Sequence, residues 1–416
     1  MAAVMDPSTG GAYLVDMHED GVGSAVAQFA AETGALGGEA GAQQLEALAQ
    51  AGEHAKYAQT LAGHLEEICQ YEDEEDSHTV MMIMSSMVKN VGDAAACAAL
   101  VASLAAALAA SQAEEQRPAL RLRHMLHLFS FAPFPAAKLQ ALGAAFAYAR
   151  ATGQADEVSS VIGALSSLQK AWGVPAAEMR PLHLAASELL WAPEGGALCG
   201  ERALAQLDRY LASFGAGDAA MAEAVPAARR AVAGLIQCEG VFGSDLLSLP
   251  AVAQLEGADA PAHALLKIFL TGTYGDYARL VAANGGLLGG LGLDAAQAGR
   301  RMRLQSLAAL ATRSAEGTMS YADIVADLAI EEGEVEEWVV EAIGAGVFEA
   351  QIDQLGRCVT TSKVARRTFG GEDWAALRAQ LAQWRAAIGE TVQHVSRYAD
   401  VSAKAAASRL AAKAEA

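Results

Sequence analysis

The sequence predicts a mainly α protein in which an α-solenoid of helical pairs leads into a small module of three helices and a β-hairpin, followed by one long helix. Three observations carry this reading. Between Asp93 and Pro261, helix-forming runs are broken at Pro118, Pro133 and Pro135, Gly153, Gly173 and Pro175, Pro193, Gly215 and Gly217, and Pro226, with no strict alternation between them. Beyond Gly344 and Gly346 the apolar period switches from helical to alternating. From Trp374 onward an apolar stripe steps by threes and fours in a stretch without proline.

The first forty or so residues scatter Gly10, Gly11, Gly21, Gly23, Gly34, Gly37, Gly38 and Gly41 among small side chains, so helix there should be short or frayed. Helical patterning begins at Ala42. The acidic run Glu72 to Asp76 reads as a solvated loop or a helix end. Short helices joined by short turns, without a fixed repeat signature, are the pattern of stacked helical pairs. Ala94 to Ala110 approaches membrane-spanning length, but it is mostly alanine, carries Ser103 and lacks aromatic or basic anchors; a soluble helix is expected. Leu265 to Tyr277 is a further helix, and the glycine pairs between Gly285 and Gly292 mark a joint.

The next segment carries the module. Met302, Leu304, Leu307, Leu310 and Ala311 repeat at helical spacing from Arg301 to Thr312, before the break at Ser314 to Gly317. Ser320 with Asp323 three residues on forms a weak capping box for a second helix ending near Ile330. A third helix from about Gly333 places Val335, Trp338, Val339, Ala342 and Ile343 on one face. Phe348, Ala350 and Ile352 then alternate with Glu349, Gln351 and Asp353; Gln354-Leu355-Gly356 closes a turn, and Arg357 to Ser362 returns with the β-formers Val359, Thr360 and Thr361. Three helices and a hairpin make a winged helix. Arg357, Val359 and Thr361 are expected at the edge of the wing, where unpaired backbone could accept a neighbour's strand.

The terminal helix has a seam of Trp374, Leu377, Leu381, Trp384, Ile388, Val395 and Tyr398, with Val392 or Thr391 between. Left in water, a seam of this length forfeits on the order of ten kcal/mol of burial. Its first two turns should fold back on the module, and its outer part, beyond Ile388, should meet another chain.

Net charge is −20, but residues 300 to 416 hold 14 Lys and Arg against 16 Asp and Glu, leaving 15 against 33 before them. An acidic chain lacks the phosphate-neutralising face of a nucleic-acid binder, and the third helix of the module exposes Glu334, Glu336, Glu337 and Glu341. Arg357, Lys363, Arg366 and Arg367 form the best basic patch, most simply a solvated wing; Arg366 and Arg367 are the candidates for an RNA or ribosome contact. Cys69, Cys97, Cys199, Cys238 and Cys358 are odd in number and widely spaced, as in reduced intracellular proteins. Met1 to Asp20 lacks the basic and apolar regions of a secretory signal.

No phosphate loop, nucleophile elbow, dinucleotide fingerprint or paired-histidine metalloprotease motif is present, so neither catalysis nor a cofactor is expected. His124 and His127 lie three apart beside Arg121 and Arg123; with no further ligand nearby in the sequence, they read as packing or surface histidines.

The segments Asp245-Leu246-Leu247-Ser248-Leu249-Pro250, Arg301-Met302-Arg303-Leu304, Gln351-Ile352-Asp353-Gln354 and Arg367-Thr368-Phe369-Gly370, followed by Trp374 and Trp384, resemble the PCI family. That family is shared by the proteasome lid, the COP9 signalosome and eukaryotic translation initiation factor 3, and the initiation factor offers the nearest likeness. The resemblance runs from about Gly240 to Arg397; Gln351 departs from it, standing where a basic residue is common. It implies a right-handed α-solenoid of helical pairs followed by a winged-helix module and a long C-terminal helix. The corresponding ranges are a flexible Gly-rich N-terminus at 1–41, a helical-repeat region at 42–240, the last repeats at 241–299, the winged helix at 300–370, the amphipathic helix at 371–403 and a mobile tail at 404–416.

The resemblance also implies a non-catalytic, cytoplasmic scaffold subunit. Its partners would be other initiation factor 3 subunits of PCI and MPN type and, through the complex, the 40S ribosomal subunit, supporting mRNA and initiator tRNA recruitment, with no membrane contact. The alternatives are a PCI subunit of the COP9 signalosome or proteasome lid and a free-standing nucleic-acid-binding winged helix, which the acidic third helix disfavours.

Overall fold

A computed structural model describes the chain except residues 1–3, 6–11, 14–25, 28, 32–33, 35, 71–73, 111–116, 192–196, 315–316, 369 and 415–416. Most of the glycine-rich segment at 1–41 therefore lies outside the described residues, as do Glu72 and Asp73 of the acidic run. The chain divides into two compact units. The first comprises Met1–Val241, Leu246–Leu266 and Ala283–Ala298; the second comprises Phe242–Asp245, Lys267–Ala282 and Gly299–Ala416.

In the first unit, β1 (Val4–Met5) pairs antiparallel with β2 (Ala12–Tyr13). Stacked helices follow: α1 (Gly38–Gln50), α2 (His54–Gly63), α3 (Leu65–Gln70), α4 (Glu74–Met87), α5 (Ala94–Ala110), α6 (Pro118–Phe131), α7 (Pro135–Thr152), α8 (Ala155–Trp172), α9 (Ala176–Leu190), α10 (Ala197–Ala212) and α11 (Val225–Gln237). Proline opens α6 and α7, where its missing N–H costs nothing, and Gly153 and Gly173 close α7 and α8 in the left-handed conformation. Among the described residues the expected breakpoints fall between helices or at helix ends; Pro193 lies outside the described residues.

Helix α7 packs against both α5 and α6, and α9 against both α7 and α10, which is the neighbour pattern of stacked helical pairs. The described part of the acidic run places Glu75 and Asp76 in the first turn of α4, where they complement the helix dipole. Helix α5 buries Cys97, Leu100, Val101, Leu104 and Leu108 against its neighbours, and among the described residues no helix is long and apolar enough to cross a membrane. One close approach requires glycine: a Cβ on Gly234 of α11 would lie 2.1 Å from the Trp191 ring. Shorter helices α12 (Pro250–Ala253) and α13 (Leu255–Ala258) follow α11.

The helices that follow are α14 (Ala260–Thr271), α15 (Tyr274–Ala283), α16 (Leu287–Gly290) and α17 (Ala295–Arg313). The second unit continues with β3 (Thr318–Ser320), α18 (Tyr321–Leu328), α19 (Val335–Gly344), β4 (Phe348–Asp353), β5 (Cys358–Val364) and α20 (Gly371–Ala414). Its sheet is antiparallel in the order β3-β5-β4.

Two expectations are corrected here. The sheet has a third strand, β3, because Met319 is fully buried between exposed Thr318 and half-buried Ser320; three residues are too few to show a period in the sequence. The first helix of the module starts six residues before Arg301, at Ala295. The terminal helix runs through Lys404 to Ala414, as its alanine content favours.

Candidate assembly surfaces

The winged-helix core gathers Leu304 and Leu307 from α17, Met319 from β3, Ile324 and Leu328 from α18, Val335 and Val339 from α19, Phe348 from β4 and Val359 from β5. Local chemistry sets each turn. The Ser320 hydroxyl accepts from the Asp323 amide at 3.2 Å, capping α18 as the sequence predicts. Ala329, at φ 52, ends that helix, and Glu331 and Glu334 form a capping box before α19. Gly346, at φ 74, then turns the chain into β4.

Two arginines of the Arg301 to Leu304 segment hold the module internally. Arg303 stacks on Tyr274 and Trp338 at 4.3 and 5.3 Å and donates to the Tyr274 hydroxyl at 2.9 Å. Arg301, buried, lies 4.6 Å from the Phe242 ring centroid, and Gln305 donates to the Phe242 carbonyl at 3.0 Å.

The expected wing edge is in fact the middle of the sheet. β5 pairs with β3 through Thr318–Thr360, Met319–Val359 and Ser320–Cys358, and with β4 through Gln351–Thr360, Ile352–Val359 and Asp353–Cys358. Val359 is fully buried, and the Thr361 hydroxyl donates to the Gly317 carbonyl at 2.9 Å. Arg357 sits at the strand's entry with φ 46, its carbonyl accepting from the Tyr321 amide at 3.1 Å and its guanidinium on Glu332 at 2.7 Å. The hidden third strand displaces the edge, so the outer strands are β3 and β4. β4 is the longer of the two at 6 residues, and its register shifts between Glu349 and Ala350.

The basic pair faces different ways. Arg366 is paired with Asp373 at the start of α20. Arg367 turns inward and donates to the carbonyls of Phe269 at 3.2 Å and Gly272 at 2.9 Å, closing the C-terminal end of α14. Burial lowers its pKa to about 10, so the guanidinium stays charged at neutral pH. A cavity of about 320 Å³ lies beside it, lined by Thr271, Thr312, Arg313 and Asp373 among others; Arg313 is already paired with Asp327. Two carboxylates of α19 are likewise used within the unit: Glu336 accepts from the Tyr321 hydroxyl and from Gln354, and Glu341 pairs with Arg300.

The terminal helix stands out from this core. Gly370 and Asp373 cap its start, with the Gly370 amide donating to the Asp373 carboxylate at 2.9 Å. Leu377 is half-buried, whereas Trp374 is 62%, Leu381 50%, Trp384 57%, Ile388 63%, Val392 58%, Val395 63% and Tyr398 77% exposed. The expected fold-back of the first two turns half-buries Asp373 and Leu377 but leaves Trp374 exposed, and every residue from Arg378 to Ala399 is exposed, starting well before Ile388. Helical rise makes 44 residues about 66 Å long, well beyond what the compact core can cover. Trp374, Leu381, Ile388 and Val395 recur every seven residues, with Leu377, Trp384 and Tyr398 in the companion register.

Sequence reasoning missed one cluster. His124 and His127 on α6 are joined by His78 from α4, 46 residues earlier, with His78 Nδ1 at 3.3 Å from His124 Nε2. Only helix packing brings the third ring in, so no local spacing could have announced it.

Residues 295–363 match the PCI domain family. The chain is similar to eukaryotic translation initiation factor 3 subunit M of Schizosaccharomyces pombe, 34% identical over 152 residues, which cover 36% of this chain and 37% of that protein. Its likeness to the subunit M of Nematostella vectensis is 36% over 141 residues, 34% of this chain and 36% of the relative. Against that of Aspergillus oryzae it is 31% over 223 residues, 52% of this chain and 47% of the relative. These matches span between about a third and a half of the relatives' own length.

Proposed function

We propose that this PCI-domain chain is a non-catalytic scaffold subunit of the translation initiation factor 3 complex, acting in the cytoplasm to support mRNA and initiator tRNA recruitment to the 40S ribosomal subunit. The relatives' shared description as subunit M supports the choice of complex. The observation that carries the scaffold reading is the exposed heptad stripe from Trp374 to Tyr398, which continues directly from the winged helix. Exposed apolar residues at this density are characteristic of an association surface.

In this reading the stripe enters a helical bundle shared with other PCI and MPN subunits. The outer edge of β4 adds side by side to a neighbour's sheet, with Glu349 and Lys363, paired at 2.7 Å, flanking that edge. Arg367 is a structural residue here, and any ribosome contact is made through the assembled complex.

The experiment is affinity purification of the tagged full chain and of a version lacking residues 371–416, read by mass spectrometry. Initiation factor subunits and 40S proteins should accompany the full chain and be lost with the helix. Recovery of ubiquitin-pathway assemblies, or of nucleic acid alone, would refute the proposal.

A further inference from the structure

We propose that His78, His124 and His127 form a binding site for a borderline transition-metal dication, Zn²⁺ above all, that ties α4 to α6. One ligand atom from each ring lies within 4.8 Å of the other two, and this is the only such His, Cys, Asp or Glu group among the described residues. Ring centroids are 5.0 Å apart for His78 and His124, 5.7 Å for His78 and His127, and 5.4 Å for His124 and His127. The geometry has two independent sources. His124 and His127, three apart, share a face of α6, and the packing of α4 against α6 delivers His78 to that face.

The 3.3 Å between His78 Nδ1 and His124 Nε2 admits two readings. It suits an N–H···N hydrogen bond, and it also suits an edge of a coordination tetrahedron, since metal–nitrogen bonds of about 2.0–2.1 Å place neighbouring ligand atoms about 3.3–3.4 Å apart. In the coordinated reading His78 Nδ1 and His124 Nε2 each present a lone pair to the cation, and the proton of His124 sits on Nδ1, which is buried without a hydrogen bond on a ring with no exposure. A cation bound by lone pairs from all three rings gives the cluster a common purpose, with small adjustments of the rings.

Burial, then the neighbouring His127, His78 and Arg123, hold the His124 pKa well below the ordinary histidine range. Three imidazoles without carboxylate select zinc, copper or nickel over magnesium and calcium, which demand oxygen. A fourth tetrahedral position remains for water or a small anion. Because the ligands come from two helices, occupancy would stabilise the first unit of the chain.

The test uses the full chain stripped of metal by chelator, titrated with Zn²⁺ by calorimetry and with Co²⁺ by absorbance. One equivalent should bind, Co²⁺ should give a tetrahedral ligand-field spectrum without thiolate charge-transfer bands, and Zn²⁺ should raise the Tm. His78→Gln, at the half-buried ring, should weaken binding by more than the 10–100-fold that loss of an outer-shell partner costs, with unchanged far-ultraviolet circular dichroism. A folded wild-type chain that binds neither metal at micromolar concentration would overturn the site. So would thiolate bands in the Co²⁺ spectrum, or equal affinity in a folded His78→Gln. Should that variant unfold, the wild-type stoichiometry and Co²⁺ spectrum decide by themselves.

Discussion

Arg367 donates to the backbone carbonyl of Phe269 at 3.2 Å across 98 residues of sequence, and thereby fastens the segment before the terminal helix to the end of α14. The same segment is tied a second time, because the Ser244 amide donates to the Arg367 carbonyl at 3.1 Å. Arg357, Lys363 and Arg366 of the basic patch stay on the surface in ion pairs, whereas Arg367 is an internal clamp.

Replacing Arg367 by Ala should therefore destabilise the second unit. Two charge-assisted hydrogen bonds are lost and two carbonyls at a helix end are left unpaired, at a cost of about 2–4 kcal/mol. Chemical denaturation of the purified chain checks this. An unchanged midpoint would show that the clamp contributes nothing.

Trp384→Glu combined with Ile388→Asp should leave folding intact and abolish assembly. Both side chains are more than half exposed, so stability should change by no more than about 0.5 kcal/mol for each. Burial in a partner is worth roughly 1.5–3 kcal/mol per side chain, which together corresponds to a loss of affinity of about 10²–10⁴-fold. Circular dichroism and co-purification are the paired measurements; normal recovery of partners would remove the seam from the account.

Val359→Ala should do the opposite. Val359 fills the module core from the central strand, so truncation should cost about 2 kcal/mol in transfer and cavity terms. Below its lowered melting temperature the variant should still recover partners, because no partner reaches that side chain. Loss of assembly at full folding would return β5 to the status of an edge.

A pH dependence follows from His183. Its ring is buried and hydrogen-bonded to Gln206 Oε1 at 2.9 Å, and burial, with Arg209 nearby, lowers its pKa despite the bond to Gln206. The folded state thus favours the neutral ring. As pH falls through the ordinary histidine value of about 6.5, the unfolded chain takes up the proton first and stability declines, by at most about 1.4 kcal/mol per pH unit from this group. His183→Asn, which keeps a donor for Gln206, should flatten the fall in melting temperature between pH 7.5 and 5.5. An identical slope in the variant would exclude this ring as its source.

The sequence by itself determined most of the helices, the Pro and Gly boundaries that the structure describes, the winged-helix order from α17 to β5 apart from β3, and the heptad stripe of α20. Each of these is written in local periodicity and capping chemistry, which act over a few residues; Ser320 with Asp323 and the alternation from Phe348 are the plainest cases. Only the tertiary structure decided that β5 is central, that Arg367 faces inward and that His78 joins His124 and His127. Those facts depend on pairings across 38 or more residues: Thr318 with Thr360, 42 apart, makes the third strand, and Arg367 with Phe269 makes the clamp. A periodicity reports which face of an element is apolar. It carries no record of which distant element will cover that face, because that choice is made by packing the whole chain at once.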